Sequence, residues 1–408
     1  MQLKKSIVLK NKTIEISGSK SISNRLLILA KIFKNIQIEN LSNSQDTALL
    51  QKALSENSEI IDIHHAGTAM RFLTSYFAIL EGKKTILTGS DRMKQRPIQP
   101  LVEALRDLGA EITYLENEGF PPLEIIGENL VKSYVKISAN ISSQFITSLL
   151  LIGAKLHNGL QVELLGEITS LPYLQMTLKM LSEVGIHYEF RGNVIKVLPY
   201  QSKKESHFVH YEVESDWSSA SYFYALSAIS RENINLKSFR TQSLQGDAVL
   251  KQIYWGFFGV NTISDGAENL ISLFPEKKYK FPEKISLDMN DCPDIAQTLC
   301  VTCVALNIPF EISGLGTLKV KETDRLIALQ NELKKIGCIT EITENSIKSL
   351  KFFEPDSDIS IATYNDHRMA MSFAPYCLVK ELNIENPEVV EKSYPNFWKD
   401  FEKVVICE

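Results

Sequence analysis

Basic side chains stand beside small hydroxylated residues at points where the sequence predicts the start of a helix. Residues 18–25 (GSKSISNR) precede a predicted helical run over residues 26–33, and residues 92–97 (RMKQRP) place three cations before another helix. Backbone N–H groups at a helix start bind anions, whereas a cation there is unfavourable unless an anion intervenes. The pattern favours binding of small anions. For residues 18–25 alone, a capped helix with two surface cations is an equally good interpretation.

Other polar segments at predicted helix starts also have two interpretations. Residues 66–71 (AGTAMR) could present the Gly67 N–H to an anion or could allow tight packing. Residues 142–144 (SSQ) and 170–173 (SLPY) could bind hydroxyl and phosphate groups. Taken singly, each of these two segments is better explained as a helix cap.

Charged residues in the second half of the chain raise the same question. Residues 321–325 (KETDR) could be a solvated helix face on which Glu322 pairs with Arg325. Asp294 stands at a predicted helix start, where capping is the plain alternative, and an isolated lysine such as Lys392 is expected on the surface. Residues 364–371 (YNDHRMAM) are less ordinary, because a polar cluster runs directly into an apolar helix.

The composition is that of a soluble globular protein with more than one lobe. The chain has 408 residues, 44% hydrophobic and 23% charged, and a formal net charge of −5. This balance argues against a nucleic-acid or membrane surface. Residues 1–12 hold only a three-residue apolar run, too short for a signal-peptide core, and the six cysteines are scattered. We therefore predict a cytoplasmic protein with reduced thiols.

A C-x-x-C pair, Cys300 and Cys303, could suggest a metal or redox site. It lies in an apolar run without a second pair, whereas a structural zinc site needs four ligands. We interpret the two cysteines as small buried residues on a helix. The sequence predicts neither a metal nor an organic cofactor.

Two patterns recur along the chain and predict a repeated architecture. In the first, an amphipathic stretch is followed by a glycine and a short strand, at nearly equal intervals around Gly109, Gly185, Gly259 and Gly337. A glycine just past a helix end suits a left-handed turn. In the second, an apolar helix is followed by a turn and a strand in residues 28–41, 77–89, 149–165, 222–239, 299–314 and 371–386. We predict an α/β fold of six similar units, three in each of two compact lobes.

Segments spread over residues 18–397 together resemble those of the EPSP synthase (3-phosphoshikimate 1-carboxyvinyltransferase) family, in that family's order. They are GSKSISNR, AGTAMRFL, RMKQRPI, SSQF, ITSLPY, DWSSASYF, QGD, KETDR, YNDHRMAM and EKSYPNF. The resemblance implies two similar lobes, each of three βαβαββ units, with the active site in the cleft between them. It places residues 1–18 and 216–408 in lobe I and residues 19–215 in lobe II.

The resemblance implies transfer of the enolpyruvyl group of phosphoenolpyruvate to the 5-hydroxyl of shikimate 3-phosphate, without a cofactor, by a monomer. The implied contacts of shikimate 3-phosphate are Lys20, Ser21, Arg25, Ser142, Ser143, Gln144, Ser170, Tyr173, Asp294 and Lys321. The implied contacts of phosphoenolpyruvate are Lys20, Gly67, Arg96, Gln144, Arg325, Arg368 and Lys392. Arg71, Asp216 and Asp366 would form a charge network between the lobes.

The chemistry of this reaction fits the residue types. Addition of the hydroxyl to C2 needs a base, protonation of C3 needs an acid, and phosphate then leaves. Asp294 is the candidate base, and Glu322, Lys392 and Lys20 are candidates for proton donation and charge stabilisation. Guanidinium groups suit two-point contacts with carboxylate and phosphate.

This sequence departs from the family pattern at a few positions. His65 stands where Asn or Asp usually precedes A-G-T, and Phe72 stands where Pro often follows the arginine of that segment. Thr317 stands four residues before Lys321, where the best-known members carry Asn. A related enzyme that uses UDP-N-acetylglucosamine as acceptor is the nearest alternative, but it carries a cysteine in a Gly-rich loop and residues 92–97 have none. A non-catalytic α/β repeat scaffold would explain the periodicity without explaining the basic helix starts.

Overall fold

The computed structural model describes residues 1–140, 142–200, 208–265, 269–355 and 357–408. The chain forms two compact units. Unit 1 comprises Met1–Ser19 and Glu214–Glu408, and unit 2 comprises Lys20–Val213. The sequence-based boundaries, after residues 18 and 215, differ slightly, and the assignment of the units as lobes of one active site stays a prediction.

The helices of the described residues are mostly short. They are α1 (Lys20–Ile32), α2 (Gln45–Ser55), α3 (Gly67–Ala78), α4 (Gln99–Leu108), α5 (Ser143–Gly153), α6 (Leu171–Glu183), α7 (Trp217–Ser230), α8 (Leu250–Phe258), α9 (Ala296–Ala305), α10 (Arg325–Lys335), α11 (His367–Phe373) and α12 (Phe397–Val404). Within the described ranges, none is both long and apolar enough to cross a membrane.

The strands alternate with these helices. They are β1 (Gln2–Leu3), β2 (Ser6–Val8), β3 (Lys12–Glu15), β4 (Ile36–Glu39), β5 (Ile60–Asp62), β6 (Lys84–Thr88), β7 (Glu111–Tyr114), β8 (Leu123–Ile126), β9 (Tyr134–Ser138), β10 (Leu160–Leu165), β11 (Tyr188–Arg191), β12 (Val194–Val197), β13 (Val209–Glu212), β14 (Ile234–Lys237), β15 (Val260–Asp265), β16 (Leu270–Pro275), β17 (Ile285–Asp288), β18 (Phe310–Ser313), β19 (Cys338–Ile342), β20 (Ile347–Phe352), β21 (Ser360–Ile361), β22 (Leu382–Ile384) and β23 (Val405–Cys407).

One βαβαββ design recurs in both units. In unit 2 it gives sheets in the orders β5-β6-β8-β7 and β9-β10-β12-β11, and in unit 1 the orders β3-β14-β16-β15 and β17-β18-β20-β19. In each sheet the first two strands are parallel and the remaining pairs are antiparallel. Parallel neighbours need a crossover helix, which explains why α3, α5, α7 and α9 follow the first strands. The predicted α/β class with repeated βαβαββ units is confirmed.

The N-terminal strands complete another repeat at the far end of the chain. Strand β21 is parallel to β22, β1 pairs antiparallel with β22, and β2 pairs antiparallel with β23. Strand β1 thus adds an antiparallel strand to the sheet that begins at β21, whereas β2 and β23 form a separate two-stranded sheet. Residues that are hundreds apart in sequence are joined by these ladders.

All of unit 2 is inserted in the chain between the first strand and the first helix of one βαβαββ repeat of unit 1. Strand β3 belongs to the same sheet as β14, yet its crossover helix α7 begins only after all of unit 2. Unit 2 shows the reciprocal arrangement, since β13 at its end is parallel to β4 near its start. Helices α1 and α7 therefore begin close to the crossings.

The crossover helices form the centre of each unit. Helices α7 and α9 contact each other in unit 1, and α3 and α5 contact each other in unit 2. Their residues are buried almost throughout, as expected for helices that are apolar on every side. Cys300 and Cys303 are buried on α9, so their interpretation as core residues is confirmed.

The recurring glycines terminate helices as predicted. Gly109, Gly185, Gly259 and Gly337 all have positive φ, from 63° at Gly259 to 110° at Gly109. A glycine adopts this conformation without the steric cost that a side chain would incur. The predicted start of the first helix was wrong, because α1 begins at Lys20 and not near residue 26. The cations of residues 18–25 consequently lie on the helix and not before it.

Candidate active site

Lys20 begins α1 and contacts a carboxylate that the sequence analysis did not single out. Its Nζ lies 3.3 Å from Oδ2 of Asp46, in the first turn of α2. The Asp46 side chain is 3% exposed and that of Lys20 is 18% exposed. A carboxylate in a first helical turn is ordinary, so its sequence position gave no signal of this pairing.

Arg25 is buried inside unit 2, so the interpretation of this residue as a surface cation was wrong. Its Nε donates to the Thr177 hydroxyl at 2.8 Å and its Nη1 to the Ser21 carbonyl at 2.7 Å. Its guanidinium lies 5.6 Å from the centre of the Phe72 ring. Burial lowers the pKa of Arg25 to about 10, and the nearby Tyr173 acts in the opposite direction. These contacts hold α1 against α3 and α6.

Gly67, the first residue of α3, lies against two arginines. A β-carbon placed there would be 2.5 Å from Nη1 of Arg96 and 2.9 Å from Nη1 of Arg71. The Arg71 Nη1 also donates to the Gly67 carbonyl at 2.9 Å. The absence of a side chain at Gly67 therefore allows both guanidiniums to approach a helix N-terminus, which is an arrangement suited to an anion.

The serines at the starts of α5 and α6 differ in their roles. Ser142 caps α5 by accepting from the Gln144 N–H at 3.3 Å, as predicted, and Ser143 is the first residue of that helix. The Gln144 side chain donates to Thr68 at 3.5 Å, which brings α5 beside the start of α3.

Ser170 does not cap its helix. Its φ is +55°, and in the described part of the chain its side chain makes no capping bond to α6. The capping interpretation was therefore wrong for Ser170. Such strained backbone is concentrated at functional sites, and Tyr173 follows within the first turn of the same helix.

The Gly67 geometry leads to a testable prediction. The resemblance implies that Arg96 binds phosphoenolpyruvate, and on that prediction we expect Gly67→Ala to raise the KM for phosphoenolpyruvate by roughly tenfold, about 1.4 kcal/mol, because the new methyl group displaces Arg96. The kcat should fall less. Steady-state kinetics with phosphoenolpyruvate as the varied substrate measure this effect.

Gly256 provides the matched control for that substitution. It lies within α8, has no positive φ, and a β-carbon there would meet no atom within 4 Å. Gly256→Ala should leave the KM unchanged. A Gly67→Ala enzyme with the wild-type KM would show that Arg96 does not depend on this space.

In unit 1, basic residues from separate segments meet at Asp294. The carboxylate lies 3.5 Å from Lys321 Nζ, 3.0 Å from Arg325 Nη1 and 3.2 Å from Arg368 Nη2. Asp294 is in the short 3-10 turn Pro293–Ile295 that leads into α9. The Asp294 side chain remains 18% exposed, so these ion pairs do not close it off from solvent.

Arg325 is the buried centre of this group. Its Nε bonds Asp366 at 2.6 Å, and its Nη2 bonds Glu322 at 2.9 Å. Burial works against the charge of Arg325, but Asp366, Glu322 and Asp294 together raise its pKa above the ordinary value. The predicted Glu322–Arg325 pair exists, but the solvated-face interpretation was wrong because the Arg325 side chain is only 2% exposed.

Lys392 is buried, so its predicted surface position was wrong. Its Nζ lies 2.6 Å from Oε1 of Glu322, and the two side chains are 5% and 14% exposed. Glu322 thus joins Lys392 to Arg325. Long-range packing of the 3-10 helix Pro387–Lys392 against α11 brings Lys392 into this group.

Lys321 belongs to the same group, and Thr317 precedes it by four residues in the chain. Burial lowers the pKa of Lys321, and the Asp294 carboxylate acts in the opposite direction. Thr317 is in the 3-10 helix Gly316–Val320 that ends next to Lys321. Nothing in the described contacts gives Thr317 a substrate role.

The residues expected to form a charge network between lobes have well-defined contacts within their own units. Asp366 caps α11 by accepting from the Arg368 N–H at 2.9 Å and pairs with Arg325. Asp216 caps α7 by accepting from the Ser219 N–H at 2.8 Å. Arg71 contacts Gly67. The network between lobes stays a prediction.

Each unit therefore gathers side chains suited to binding and reacting anions. Unit 2 supplies cations and the helix N-termini of α1 and α3. Unit 1 supplies Asp294 within a ring of cations and the Glu322–Lys392 pair. Such a combination can bind carboxylate and phosphate groups and can also move protons.

Solved structures share the fold of this chain. The enolpyruvyl transferase NikO from Streptomyces tendae superimposes with a TM-score of 0.71 at 14% identity, covering 98% of both chains. EPSP synthase from Acinetobacter baumannii gives a TM-score of 0.70 at 21% identity, again with 98% of both chains covered. The fold is that of the enolpyruvyl transferases.

Sequence comparison identifies the family. The EPSP synthase (3-phosphoshikimate 1-carboxyvinyltransferase) family model matches residues 50–401. A 3-phosphoshikimate 1-carboxyvinyltransferase of Bacteroides fragilis is 44% identical over 96% of this chain and 94% of its own length. One from Haemophilus influenzae is 36% identical over 97% and 96%. The chain belongs to the EPSP synthase family.

Proposed function

We infer that the protein transfers the enolpyruvyl group of phosphoenolpyruvate to the 5-hydroxyl of shikimate 3-phosphate and releases phosphate. The observation that carries this conclusion is the family match, which extends over most of the chain together with relatives above 30% identity. The match extends over nearly the whole chain, and the relatives carry the name of this reaction, which favours shikimate 3-phosphate over another acceptor. The cationic clusters suit two anionic substrates.

We propose that shikimate 3-phosphate is bound by hydroxylated and basic residues of unit 2 together with a carboxylate and a lysine of unit 1. Ser142 accepts from the Gln144 N–H and Arg25 donates to Thr177, so hydrogen bonds within unit 2 orient both side chains. Ser170 supports the assignment through its strained backbone. The full set is Lys20, Ser21, Arg25, Ser142, Ser143, Gln144, Ser170, Tyr173, Asp294 and Lys321.

We propose that phosphoenolpyruvate is bound chiefly by guanidinium groups. Arg96 lies beside the N-terminus of α3, and Arg325 and Arg368 are anchored by carboxylates. Planar guanidiniums fixed in this way give two-point contacts with carboxylate and phosphate. The full set is Lys20, Gly67, Arg96, Gln144, Arg325, Arg368 and Lys392.

In the proposed mechanism Asp294 takes the proton of the 5-hydroxyl as its oxygen bonds to C2 of phosphoenolpyruvate. A proton is added to C3 at the same stage, from Glu322 or Lys392. One proton of the resulting methyl group then returns to the group that donated it, the C2–O bond to phosphate breaks, and the double bond between C2 and C3 is regenerated. Lys20 stabilises the negative charge of the phosphate as it leaves.

The reaction is tested by measuring phosphate release with each acceptor. We expect release only when shikimate 3-phosphate and phosphoenolpyruvate are both present, and no loss of rate with a chelator, because the chemistry needs only the residues named above. Substituting UDP-N-acetylglucosamine for the acceptor should give no release.

Other outcomes of that assay would contradict specific parts of the proposal. Turnover with UDP-N-acetylglucosamine would assign the protein to the related transferase. No turnover and no thermal shift with either acceptor would support a non-catalytic scaffold. Loss of activity with chelator that returns with zinc would contradict the prediction that no metal is needed. The cytoplasmic location and the monomeric state stay predictions.

A further inference from the structure

Two segments of the sequence pattern have no role in the mechanism above, namely residues 216–223 (DWSSASYF) and 245–247 (QGD). Both belong to unit 1 and they meet through Ser218 and Asp247. Ser218 lies in the first turn of α7, and Asp247 lies in the 3-10 helix Gly246–Val249. Asp247 is 3% exposed, which is unusual for a carboxylate.

A hydroxyl connects this buried carboxylate to Arg368. Ser218 donates its proton to Oδ2 of Asp247, and Nη2 of Arg368 lies 3.4 Å from the same hydroxyl oxygen. A hydroxyl has one proton to donate and lone pairs to accept. Because the Ser218 hydroxyl donates its hydrogen bond to Asp247, an oxygen lone pair of Ser218 is oriented to accept from Arg368.

The loop that carries Asp247 is firmly attached to the start of α7. The Gln245 side chain donates to Oε2 of Glu214 at 3.0 Å and to the Ser215 carbonyl at 2.8 Å, and it accepts from the Trp217 N–H at 3.1 Å. These bonds fix the loop within a residue or two of Ser218. The position of Asp247 opposite Ser218 is therefore set by the fold.

Arg368 also contacts the Asp294 segment. Its Nη1 donates to the Asp294 carbonyl at 2.8 Å, and its Nη2 lies 3.2 Å from the Asp294 carboxylate. The Asp294 carboxylate is the proposed base and must change its charge during the reaction. The Ser218 hydroxyl is a neutral acceptor for Arg368, and the direction of this hydrogen bond does not depend on whether Asp294 is protonated.

We propose that Asp247 and Ser218 are positioning residues that act in series to orient the Arg368 guanidinium for phosphoenolpyruvate. This inference rests on the proposed role of Arg368 as a phosphoenolpyruvate ligand. Neither Asp247 nor Ser218 touches substrate in this proposal. Their effect is on how well Arg368 is preorganised, and so on binding more than on proton transfer.

The electrostatic surroundings predict when this arrangement weakens. Burial and the neighbouring Asp294 raise the pKa of Asp247 to about 6, while Arg368 and Ser218 act in the opposite direction. Asp216, in the same surroundings, raises it further, and Asp247 in turn raises the pKa of the Cys292 thiol, after the larger effect of burial. Below about pH 6 Asp247 becomes protonated, and the charge-assisted hydrogen bond from Ser218 to its carboxylate is weakened.

The test compares Asp247→Asn, Ser218→Ala and the double variant with the wild-type enzyme. We expect each single change to raise the KM for phosphoenolpyruvate roughly tenfold and the KM for shikimate 3-phosphate less than about twofold. Because the residues act in series, the double variant should be no worse than either single variant. In the wild type the KM for phosphoenolpyruvate should rise as the pH falls through 6. The part of this rise that is due to Asp247 should be absent in the Asp247→Asn variant.

Ser221→Ala is the matched control. It removes a buried hydroxyl from the same helix, one that bonds the Ser218 carbonyl and Thr298. Its KM should be that of the wild type. Equal losses for both substrates, additive effects, an unchanged KM or an unaltered pH profile would each overturn the proposal. A wild-type enzyme without turnover would instead count against the proposed function, so the two failures are distinguishable.

Discussion

Asp294→Asn should lower kcat by roughly 10²-fold or more while shikimate 3-phosphate still binds, because the amide keeps the shape but cannot accept the hydroxyl proton. Asp294→Ala should lower kcat at least as far and weaken shikimate 3-phosphate binding as well. Removal of the Asp294 side chain leaves Lys321, Arg325 and Arg368 without the carboxylate that all three contact. Single-turnover kinetics and calorimetric binding measure the two effects separately.

Asp288 provides a matched control for those variants. It is a carboxylate on β17 of the same unit, and it accepts from the Asn290 N–H at 2.9 Å and from Ser313 at 3.1 Å. Asp288→Asn should leave kcat near that of the wild type. An Asp294→Asn enzyme with wild-type kcat would remove Asp294 from the mechanism, whatever its effect on binding.

The sequence predicted the repeat because local patterns generate it. Glycines such as Gly109 and Gly259 end helices for steric reasons that act within a few residues. The pairing of β1 with β22 had no such local signal, because it joins residues at opposite ends of the chain. Contacts of this kind are decided by tertiary packing.

Burial explains the wrong structural interpretations. Arg325 and Lys392 were given surface positions because charged residues are rarely buried unless paired. Their partners, Asp366 and Glu322, lie 41 and 70 residues away in sequence, so spacing alone could not reveal the pairs. Asp247 was missed for the same reason, since its partner Ser218 is on another element.

The resemblance to a family supplied candidate site residues that spacing alone did not single out, and their roles stay predictions. Ser142 shows the difference clearly, because capping and ligand binding use the same hydroxyl and the structure shows the cap. Gly67 shows it again, since only the positions of Arg96 and Arg71 explain why a glycine is needed there. A residue type and its spacing do not contain that information.

Lys392→Met should lower both activity and stability, and the two losses should respond differently to a second change. The Lys392–Glu322 pair is 2.6 Å long and largely buried. Removing Lys392 leaves Glu322 paired with Arg325 but adds an uncompensated negative charge to the buried group, which costs about 3 kcal/mol in the free energy of unfolding. The kcat should fall by roughly 10²-fold or more, since the charge that stabilises the transition state is gone.

Glu322→Gln combined with Lys392→Met separates these effects. Neutralising Glu322 as well removes the uncompensated negative charge, so most of the lost stability should return, whereas kcat should remain low. Denaturant unfolding and steady-state kinetics on the two variants measure this. Lys284→Met is the control, because its pair with Glu311 is 2.5 Å long but exposed, and its loss should leave the unfolding midpoint near that of the wild type. Recovery of kcat together with stability in the double variant would mean that the pair serves the fold and takes no part in the reaction.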